Sequence, residues 1–321
     1  MKEQILSALK NSDDYISGEA LSKSLGITRS AVWKNISQLK KDGYIIDSVT
    51  NKGYKLQNDF NMIDYEKVMD DFKCDNIGKK LIILKSTDST NNELKRLAAL
   101  DEESGTVVVS EVQTSGRGRF GRQWESDKGG LYFSFLLRTD LPPSNIASIT
   151  LAAGYAVCLA VREYTGLDAR IKWPNDIIVE NRKICGILTE MAAQSDRLDY
   201  IITGIGINVN NTVFPDEIKN KASSVFLETN QNTDKSDFFR TVLTYLDRVI
   251  SSFLISISID DMDNFKKLCA TLGREVSVKR GESILTGTAK DITPFGELVI
   301  ETKDSRNIII SSGEVTVQGI Y

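Results

Sequence analysis

The spacing of apolar residues changes twice along this chain, and each change marks a change of fold. Residues 1–41 repeat with helical spacing, residues 80–210 alternate strand-like and helix-like runs, and short strand-like runs follow Gly273. A helix and a strand bury side chains with different periods, so one regular element cannot span such a change. A length of 321 residues also favours more than one domain. We predict an α+β multidomain protein with domains at 1–58, 59–271 and 272–321.

The first domain is predicted to be a winged helix-turn-helix that binds DNA. Ser17 caps a helix over residues 18–25, a glycine turn follows, and Thr28 caps a longer helix. Strand-like runs on both sides of residues 51–53 predict the hairpin wing. The exposed side of the longer helix carries polar side chains suited to bases and phosphates, namely Thr28, Arg29, Ser30, Lys34 and Asn35. The alternative is a helical docking module with a solvated basic face.

The charge distribution favours the DNA-binding interpretation. Residues 1–56 carry nine Lys and Arg against six Asp and Glu, whereas the remaining residues carry 31 against 38. A basic segment on an acidic body is typical of a nucleic-acid module joined to a domain with another task.

Composition excludes several kinds of chemistry. The chain has no histidine, which excludes histidine-dependent catalytic triads, histidine-ligated zinc and histidine acid–base catalysis. Its four cysteines lie far apart without metal-ligand spacing, so reduced, buried thiols are expected. Charges among residues 1–10 argue against a secretory signal, and the uncharged run 141–161 is expected to be a buried helix rather than a membrane span. We expect a cytoplasmic protein.

Glycines and arginines alternate over residues 116–122, between Gln113 and Trp124. The glycines let the backbone approach a ligand closely, and the arginines supply forked, permanently charged donors for phosphate or carboxylate. The chain as a whole has a net charge of −4, so cations concentrated on one loop predict a site for an anionic ligand. Residues 116–122 are called the Gly/Arg loop below.

Further polar motifs interrupt the apolar runs of the central segment. Residues 88–91 (Asp-Ser-Thr-Asn) open a helix and, taken alone, are best explained as an N-cap. Residues 172–176 (Lys-Trp-Pro-Asn-Asp) place a proline in a strand-like stretch, which requires a sheet edge or a bulge, with turn chemistry as the alternative. Lys183 begins a strand with Gly186 nearby, which suits a cation aimed at a ligand, although edge lysines are common. The glycines of residues 204–206 indicate close approach by another backbone or a ligand.

In this order and spacing the motifs resemble those of the biotin–protein ligases. The similarity rests on the 88–91 motif, Gln113 with the Gly/Arg loop and Trp124, the 172–176 motif, Lys183 with Gly186, and residues 204–208. With the N-terminal winged helix, the chain resembles the bifunctional class that is both a ligase and a biotin operon repressor. The resemblance implies a central α/β ligase domain with a mixed sheet and a C-terminal SH3-like β-barrel. Five short strand-like runs after Gly273 agree with a small barrel.

The resemblance also implies site residues. Lys183 and Arg119 are expected to be catalytic, because they would hold the oxygens of the acyl-phosphate group. Biotin or its adenylate is expected to contact Ser89, Thr90, Asn91, Gln113, Arg117, Gly118, Arg119, Lys183, Gly186 and Gly204. The nucleotide is expected to contact Arg119, Arg122, Trp124, Lys172, Asn175, Asp176 and Asn208.

The reaction and its partners follow from the same resemblance. ATP with Mg²⁺ and biotin would form biotinyl-5′-AMP, and a lysine of biotin carboxyl carrier protein would then accept biotin. The adenylate is implied as the corepressor, acting through a homodimer on operator DNA, with no metal held by the protein alone and no membrane involved. Three alternatives stay open: a ligase for lipoate or another carboxylate, a ligand-sensing repressor without ligase turnover, and an RNA-binding Arg/Gly segment.

Overall fold

The computed structural model describes residues 1–12, 14–41, 44, 46–56, 60–194, 197–256, 262–280 and 283–321. The chain divides into two compact units, Met1–Met62 and Ile63–Tyr321. The boundary predicted after residue 58 lies outside the described residues.

The first unit consists of three helices and a β-hairpin. These elements are α1 (Lys2–Lys10), α2 (Gly18–Leu25), α3 (Arg29–Lys41), β1 (Ile46–Val49) and β2 (Gly53–Leu56). The hydroxyls of Ser17 and Thr28 cap α2 and α3, because they accept hydrogen bonds from the backbone N–H groups of Ala20 at 3.0 Å and Ala31 at 3.2 Å. Gly26 ends α2 with a φ of 65°, a conformation that favours glycine. The predicted winged helix-turn-helix is confirmed.

The second unit is built on a seven-stranded mixed sheet in the order β3-β4-β5-β9-β8-β7-β6. Its strands are β3 (Lys80–Thr87), β4 (Thr106–Gln113), β5 (Leu131–Leu137), β6 (Arg170–Lys172), β7 (Asp176–Val179), β8 (Arg182–Gln194) and β9 (Arg197–Ile207). β3 and β4 pair in parallel, and the other neighbouring strands are antiparallel. The predicted mixed sheet is confirmed.

Helices cover both faces of this sheet. They are α4 (Tyr65–Met69), α5 (Thr90–Ala98), α6 (Ile146–Thr165), α7 (Val225–Thr229), α8 (Lys235–Ser256) and α9 (Met262–Leu268). α6 and α8 pack together, and their buried residues share one core with Val107 and Val109 of β4. α5 forms a second core that contains Val108. Since successive strand residues point to opposite faces, the two cores lie on opposite sides of β4.

The uncharged run of the sequence forms most of α6. A helix over residues 143–165 is long and apolar enough to cross a membrane, but 72% of its most apolar stretch is buried inside the fold. The prediction of a buried core helix is therefore confirmed.

The connection β3–α5–β4 places two sequence motifs side by side. Thr87, the last residue of β3, pairs with Gln113, the last residue of β4. The 88–91 motif and the Gly/Arg loop therefore leave the sheet at the same edge. The 172–176 motif spans the turn between β6, an edge strand, and β7. Pro174 lies in that turn and not within a strand, so the alternative of turn chemistry applies to it.

The C-terminal segment forms a smaller antiparallel sheet. Its five strands, in the order β13-β12-β11-β10-β14, are β10 (Glu275–Arg280), β11 (Ser283–Ile292), β12 (Leu298–Glu301), β13 (Asn307–Ile310) and β14 (Glu314–Val317). The indole of buried Trp173 donates a hydrogen bond to the carbonyl of Gly296 at 2.9 Å. This bond ties the β6–β7 turn to the C-terminal sheet.

Candidate active site

One cavity of about 600 Å³ lies in the second unit, bounded by the ends of β3 and β4, the β6–β7 turn and the central parts of β8 and β9. It is lined by every residue that the sequence predicted for the ligase site: Ser89, Thr90, Asn91, Gln113, Arg117, Gly118, Arg119, Arg122, Trp124, Lys172, Asn175, Asp176, Lys183, Gly186, Gly204 and Asn208. Motifs that are far apart in the sequence therefore face one space.

Uncharged hydrogen-bonding groups form one end of the cavity. Thr90 and Asn91 begin α5 yet are buried, and the backbone N–H of Thr90 donates to Gln113 Oε1 at 2.9 Å. Ser89 occupies the N-cap position of α5, but its side chain makes no capping hydrogen bond. Capping alone therefore does not explain Ser89, whose hydroxyl stays available to a ligand.

The Gly/Arg loop is closed at its base and bent at its tip. A β-bridge joins Arg117 to Gln123. The tip is a 3-10 turn over Arg119–Gly121, in which exposed Phe120 has a φ of 57°. Positive φ is uncommon for so large a side chain, so the tip is held in a conformation that the local sequence does not favour.

Two of the three arginines of this loop contact other segments. Arg119 donates to the side-chain oxygen of Asn175 at 3.0 Å and to the backbone carbonyl of Gly313 at 3.1 Å. Arg122 forms an ion pair with Glu314. The loop thus contacts both the β6–β7 turn and the C-terminal sheet.

Trp124 lies across two paired strands at the floor of the cavity. Gly186 of β8 and Gly206 of β9 are direct cross-strand partners. A Cβ atom on Gly206 would lie 2.5 Å from the indole nitrogen of Trp124, and one on Gly204 would lie 2.1 Å from the side-chain oxygen of Asn91. The sequence indicated that a backbone or a ligand approaches these glycines, whereas the structure shows that two side chains do.

Cationic groups form the other end of the cavity. Lys183 Nζ lies 2.6 Å from Asp176 Oδ1, and the hydroxyl of Tyr321 donates to Asp176 Oδ2 at 2.5 Å. Lys172 Nζ lies 3.5 Å from the centroid of the Tyr321 ring. Together with Arg119, this end sets three cations against one carboxylate, and the surplus positive charge attracts anionic ligands.

Lys172 is the most deeply buried of these cations, with 7% of its surface exposed. Burial lowers the pKa of Lys172 to about 8; the carboxylate of Asp176 acts in the opposite direction, and the positive charge of Lys183 acts in the same direction as burial. Lys172 therefore stays mostly protonated at neutral pH but loses its proton well before an exposed lysine does.

Two amide side chains that line the cavity are oriented by the backbone. Asn175 Nδ2 donates to the carbonyl of Ile187 at 3.0 Å, and Asn208 Nδ2 donates to the carbonyl of Ser223 at 2.9 Å. Because the carbonyl of Ile187 holds the NH₂ group of Asn175, the amide oxygen of Asn175 faces Arg119 and accepts a hydrogen bond from it.

Sequence reasoning missed several residues that complete the site. Tyr321 and Glu314 come from the C-terminal segment, beyond the last recognised motif, and no local pattern marks them. Ser134 had a detectable signal, since it is a small polar residue inside the apolar strand Leu131–Leu137 and is completely buried. Glu190 lies within β8 without a local signal, and its carboxylate accepts a hydrogen bond from Asn91 Nδ2 at 2.8 Å.

In the first unit, the predicted DNA-contacting residues lie near the start of α3. Thr28, Arg29, Ser30 and Lys34 are exposed, whereas Asn35 is half-buried and donates to the carbonyl of Ala31 at 2.8 Å. Arg29 pairs with Glu19 of α2. Trp33, which was not predicted, is 64% exposed on the same helix. A surface of this composition suits contact with a phosphate backbone and with bases.

Comparison with known proteins matches three segments of the chain. A family model described as the biotin/lipoate A/B protein ligase family matches residues 83–208. A model of an HTH domain matches residues 2–55, and one of a biotin protein ligase C terminal domain matches residues 271–317. The three follow one another in the order of the predicted domains.

Similarity to individual proteins extends over nearly the whole chain. The bifunctional ligase/repressor BirA of Bacillus subtilis is 33% identical over 303 residues, which is 94% of this chain and 93% of that protein. BirA of Escherichia coli is 28% identical over 298 residues, which is 92% of this chain and 91% of that protein. Among solved structures, the biotin protein ligase from Aquifex aeolicus in complex with biotin and ATP aligns with a TM-score of 0.65 at 33% identity, covering 75% of this chain and 100% of that chain.

The burial of Lys172 leads to a prediction about its titration. In protein whose lysines carry ¹³C-methyl labels, the Lys172 resonance should titrate near pH 8, and the Lys172→Arg variant should lack that resonance. Asp176→Asn should lower the pKa of Lys172 further, because it removes the charge that opposes burial. A titration midpoint near the ordinary lysine value of 10.5 would contradict the buried environment.

Proposed function

The chain belongs to the family of bifunctional biotin ligases and transcriptional repressors, and on this premise we propose how its two units work. The second unit forms biotinyl-5′-AMP from biotin and ATP and transfers biotin to a lysine of biotin carboxyl carrier protein. The first unit binds operator DNA, with the adenylate as corepressor. We assign the domains to 1–58, 59–271 and 272–321 and place the protein in the cytoplasm.

The observation that carries this proposal is the division of one cavity into two chemically different ends. Biotin joins a neutral cyclic urea, which needs uncharged donors and acceptors, to a carboxylate that must meet a triphosphate. Ser89, Thr90 and Gln113 supply the uncharged groups at one end. Lys172 and Lys183 stand at the end where two anions would meet.

In the first step, an oxygen of the biotin carboxylate attacks the α-phosphorus of ATP. The bond from that phosphorus to the β-phosphate oxygen breaks, and pyrophosphate leaves with the electron pair. Bringing two unit negative charges within about 4 Å costs about 4 kcal/mol at the effective dielectric of a protein surface. Lys183 and Arg119 would offset this repulsion by holding the oxygens that carry the charge, so the chain needs no covalent nucleophile.

Asp176 is the carboxylate that fits a magnesium ion carried by the nucleotide. No group of three or more metal-ligating side chains occurs in the part of the chain that the structure describes. Magnesium usually keeps waters and binds through one or two carboxylates and the substrate phosphates. When bound there, the ion would neutralise phosphate charge, while Arg122, Lys172 and Asn175 would contact the nucleotide.

In the second step, the neutral ε-amine of the carrier lysine attacks the acyl carbon of the adenylate. The carbon–oxygen bond to phosphate breaks, AMP leaves with the electron pair, and the amine gives up a proton as the amide forms. The adenylate must survive until the carrier arrives. We infer that the Gly/Arg loop covers it, with Arg117, Gly118 and Arg119 in contact, and excludes water.

Repression would follow from linkage between the two units. If the adenylate favours a homodimer, the two α3 helices of the dimer bind the two half-sites of a two-fold symmetric operator. Affinity for the operator then rises with dimerisation. The exposed Arg29 and Lys34 would contact phosphates, and neighbouring polar side chains would contact base edges.

Pyrophosphate release tests the first half-reaction. Purified protein with Mg²⁺ and ATP should release pyrophosphate when biotin is added and not when lipoate is added. Lys183→Met should slow release roughly a hundredfold because it removes a cation that stabilises the transition state. Lys290→Met, in the C-terminal sheet, serves as the matched control. Biotin binding without pyrophosphate release would favour a ligand-sensing repressor instead.

Retention of the adenylate tests the role of the Gly/Arg loop. A Cβ atom on Gly116 would lie 2.5 Å from the carbonyl of Trp124, so Gly116→Ser must displace the loop. Arg119→Gly removes the hydrogen bonds from Arg119 to Asn175 and Gly313. Both variants should release biotinyl-5′-AMP into solution and biotinylate bystander lysines. Arg170→Gly, far along the chain on an edge strand, is the control. Retention equal to the unaltered protein would rule out the covering role.

DNA binding is tested with a duplex that the protein itself selects from a randomised library. Lys34→Ala should weaken binding and lower the slope of log affinity against log salt concentration by about one, as expected for one lost phosphate contact. Biotinyl-5′-AMP should strengthen binding and produce a dimer in sedimentation. Lys303→Ala is the control, and an unchanged salt slope in Lys34→Ala would remove this residue from the interface.

A further inference from the structure

A continuous series of hydrogen bonds crosses the floor of the cavity, from the surface of β8 to the Gly/Arg loop. It begins where Glu190 Oε1 accepts from Lys95 at 2.7 Å and Glu190 Oε2 accepts from Asn91 Nδ2 at 2.8 Å. Ser134 then donates to Asn91 Oδ1 at 2.6 Å, and Thr90 Oγ1 lies 2.6 Å from Ser134 Oγ. Thr90, Asn91 and Ser134 are all at least 95% buried, so water does not interrupt the series.

Gln113 continues the series beyond Thr90. Gln113 Oε1 accepts from the backbone N–H of Thr90 at 2.9 Å, and Gln113 Nε2 donates to Ser126 Oγ at 3.0 Å. Ser126 in turn donates to the carbonyl of Trp124 at 3.0 Å. The amide of Gln113 therefore has a defined orientation, with its oxygen toward Thr90.

Glu190 and the backbone carbonyl of Leu188 set the direction of the protons in the first part of this series. Both groups can only accept, at 2.8 and 3.3 Å from Asn91 Nδ2, so Asn91 must turn its NH₂ group toward them and its oxygen toward Ser134. Although burial acts in the opposite direction, hydrogen bonds from Lys95 and Asn91 lower the pKa of Glu190, which keeps it ionised at neutral pH. Ser134 has a single proton and gives it to Asn91, so Thr90 must give its own proton to Ser134.

The direction of these hydrogen bonds determines what the hydroxyl of Thr90 can offer a ligand. Thr90 lines the cavity. Gln113 Oε1 lies 3.2 Å from Thr90 Oγ1 and is a second acceptor, but Ser134 Oγ is closer at 2.6 Å and gives its own proton to Asn91, so it takes the proton of Thr90. Thr90 Oγ1 can therefore accept a hydrogen bond from a ligand, but it has no proton left to donate to one. The neighbouring hydroxyl of Ser89, which has no capping bond, remains free to donate. The two adjacent hydroxyls thus have opposite roles, which suits a ligand that carries N–H donors beside a carbonyl.

We propose that Glu190, acting through Asn91 and Ser134, is a positioning residue that makes Thr90 a hydrogen-bond acceptor for the cyclic urea of biotin. This inference rests on the proposed biotin ligase function. Glu190 does not line the cavity and acts only through the side chains between it and the ligand. Glu190 favours one of the two possible donor–acceptor directions of the hydrogen bonds that join Asn91, Ser134 and Thr90.

Glu190→Gln tests this proposal because it has almost the same shape but can reverse the series. Lys95 would hold the new amide oxygen, so the new NH₂ group would face the NH₂ group of Asn91. This would favour a flipped Asn91 amide at the expense of its long hydrogen bond to the Leu188 carbonyl at 3.3 Å. Ser134 would then donate to Thr90, and Thr90 would turn its proton toward the ligand or Gln113. Biotin affinity, measured by calorimetry, should fall about tenfold, the worth of one good hydrogen bond, and KM for ATP should stay unchanged.

Lys95 provides a matched control and a rescue. Lys95→Met alone leaves the carboxylate in place and should weaken biotin binding by a few-fold at most, since it removes only a partly exposed ion pair. In the double variant Glu190→Gln with Lys95→Met, the amide oxygen is free to turn back toward Asn91, so most of the lost biotin affinity should return. A structural role of the Lys95–Glu190 pair predicts the opposite, because the double variant lacks both charges.

The outcomes separate this inference from the function on which it rests. Unaltered protein that does not bind biotin would overturn the proposed function. Unaltered protein that binds biotin, together with a Glu190→Gln variant of equal affinity or a double variant without recovery, would overturn only the inference. Thermal unfolding checks that each variant folds. If Glu190→Gln does not fold, Ser134→Ala carries the test, and biotin affinity equal to that of the unaltered protein would overturn the proposal.

Discussion

A pair of glycines that face each other across β8 and β9 makes the site possible. Gly186 and Gly206 have no Cβ atoms, so the ring of Trp124 can approach the backbone of both strands closely. Any side chain at Gly206 would overlap the indole, which would force Trp124 and the Gly/Arg loop that precedes it away from the sheet. The position of the loop, and therefore of its arginines, depends on this absence of side chains in the middle of a buried sheet.

Shared partners connect the charged groups around this floor. Both oxygens of Asp176 are engaged, one by Lys183 and the other by Tyr321, while Lys172 lies over the Tyr321 ring. This one carboxylate partly offsets the cost of keeping several cations close together. An anionic ligand would offer these cations a second partner.

The two ends of the cavity illustrate different ways to prepare a site. The uncharged end is organised in advance by buried hydrogen bonds through Thr90, Asn91 and Ser134, which leave little freedom of direction. The Gly/Arg loop instead depends on a few contacts at the surface of the C-terminal sheet, among them the exposed pair of Arg122 and Glu314. A preformed pocket beside a loop with few ties suits an enzyme that must recognise one substrate and then cover an unstable intermediate.

The sequence by itself indicated most helices, strands and turns of both units and, through the family resemblance of its motifs, many of the residues that line the cavity. Apolar spacing, Ser17 and Thr28 as caps, and the glycine and proline turns act within a few residues, so they can be read locally. Tertiary structure alone decided that Tyr321 holds Asp176, that Glu314 holds Arg122 and that side chains rather than a ligand fill the space above the glycines. Those contacts join residues more than sixty positions apart in the chain, where no local spacing records which side chains will meet.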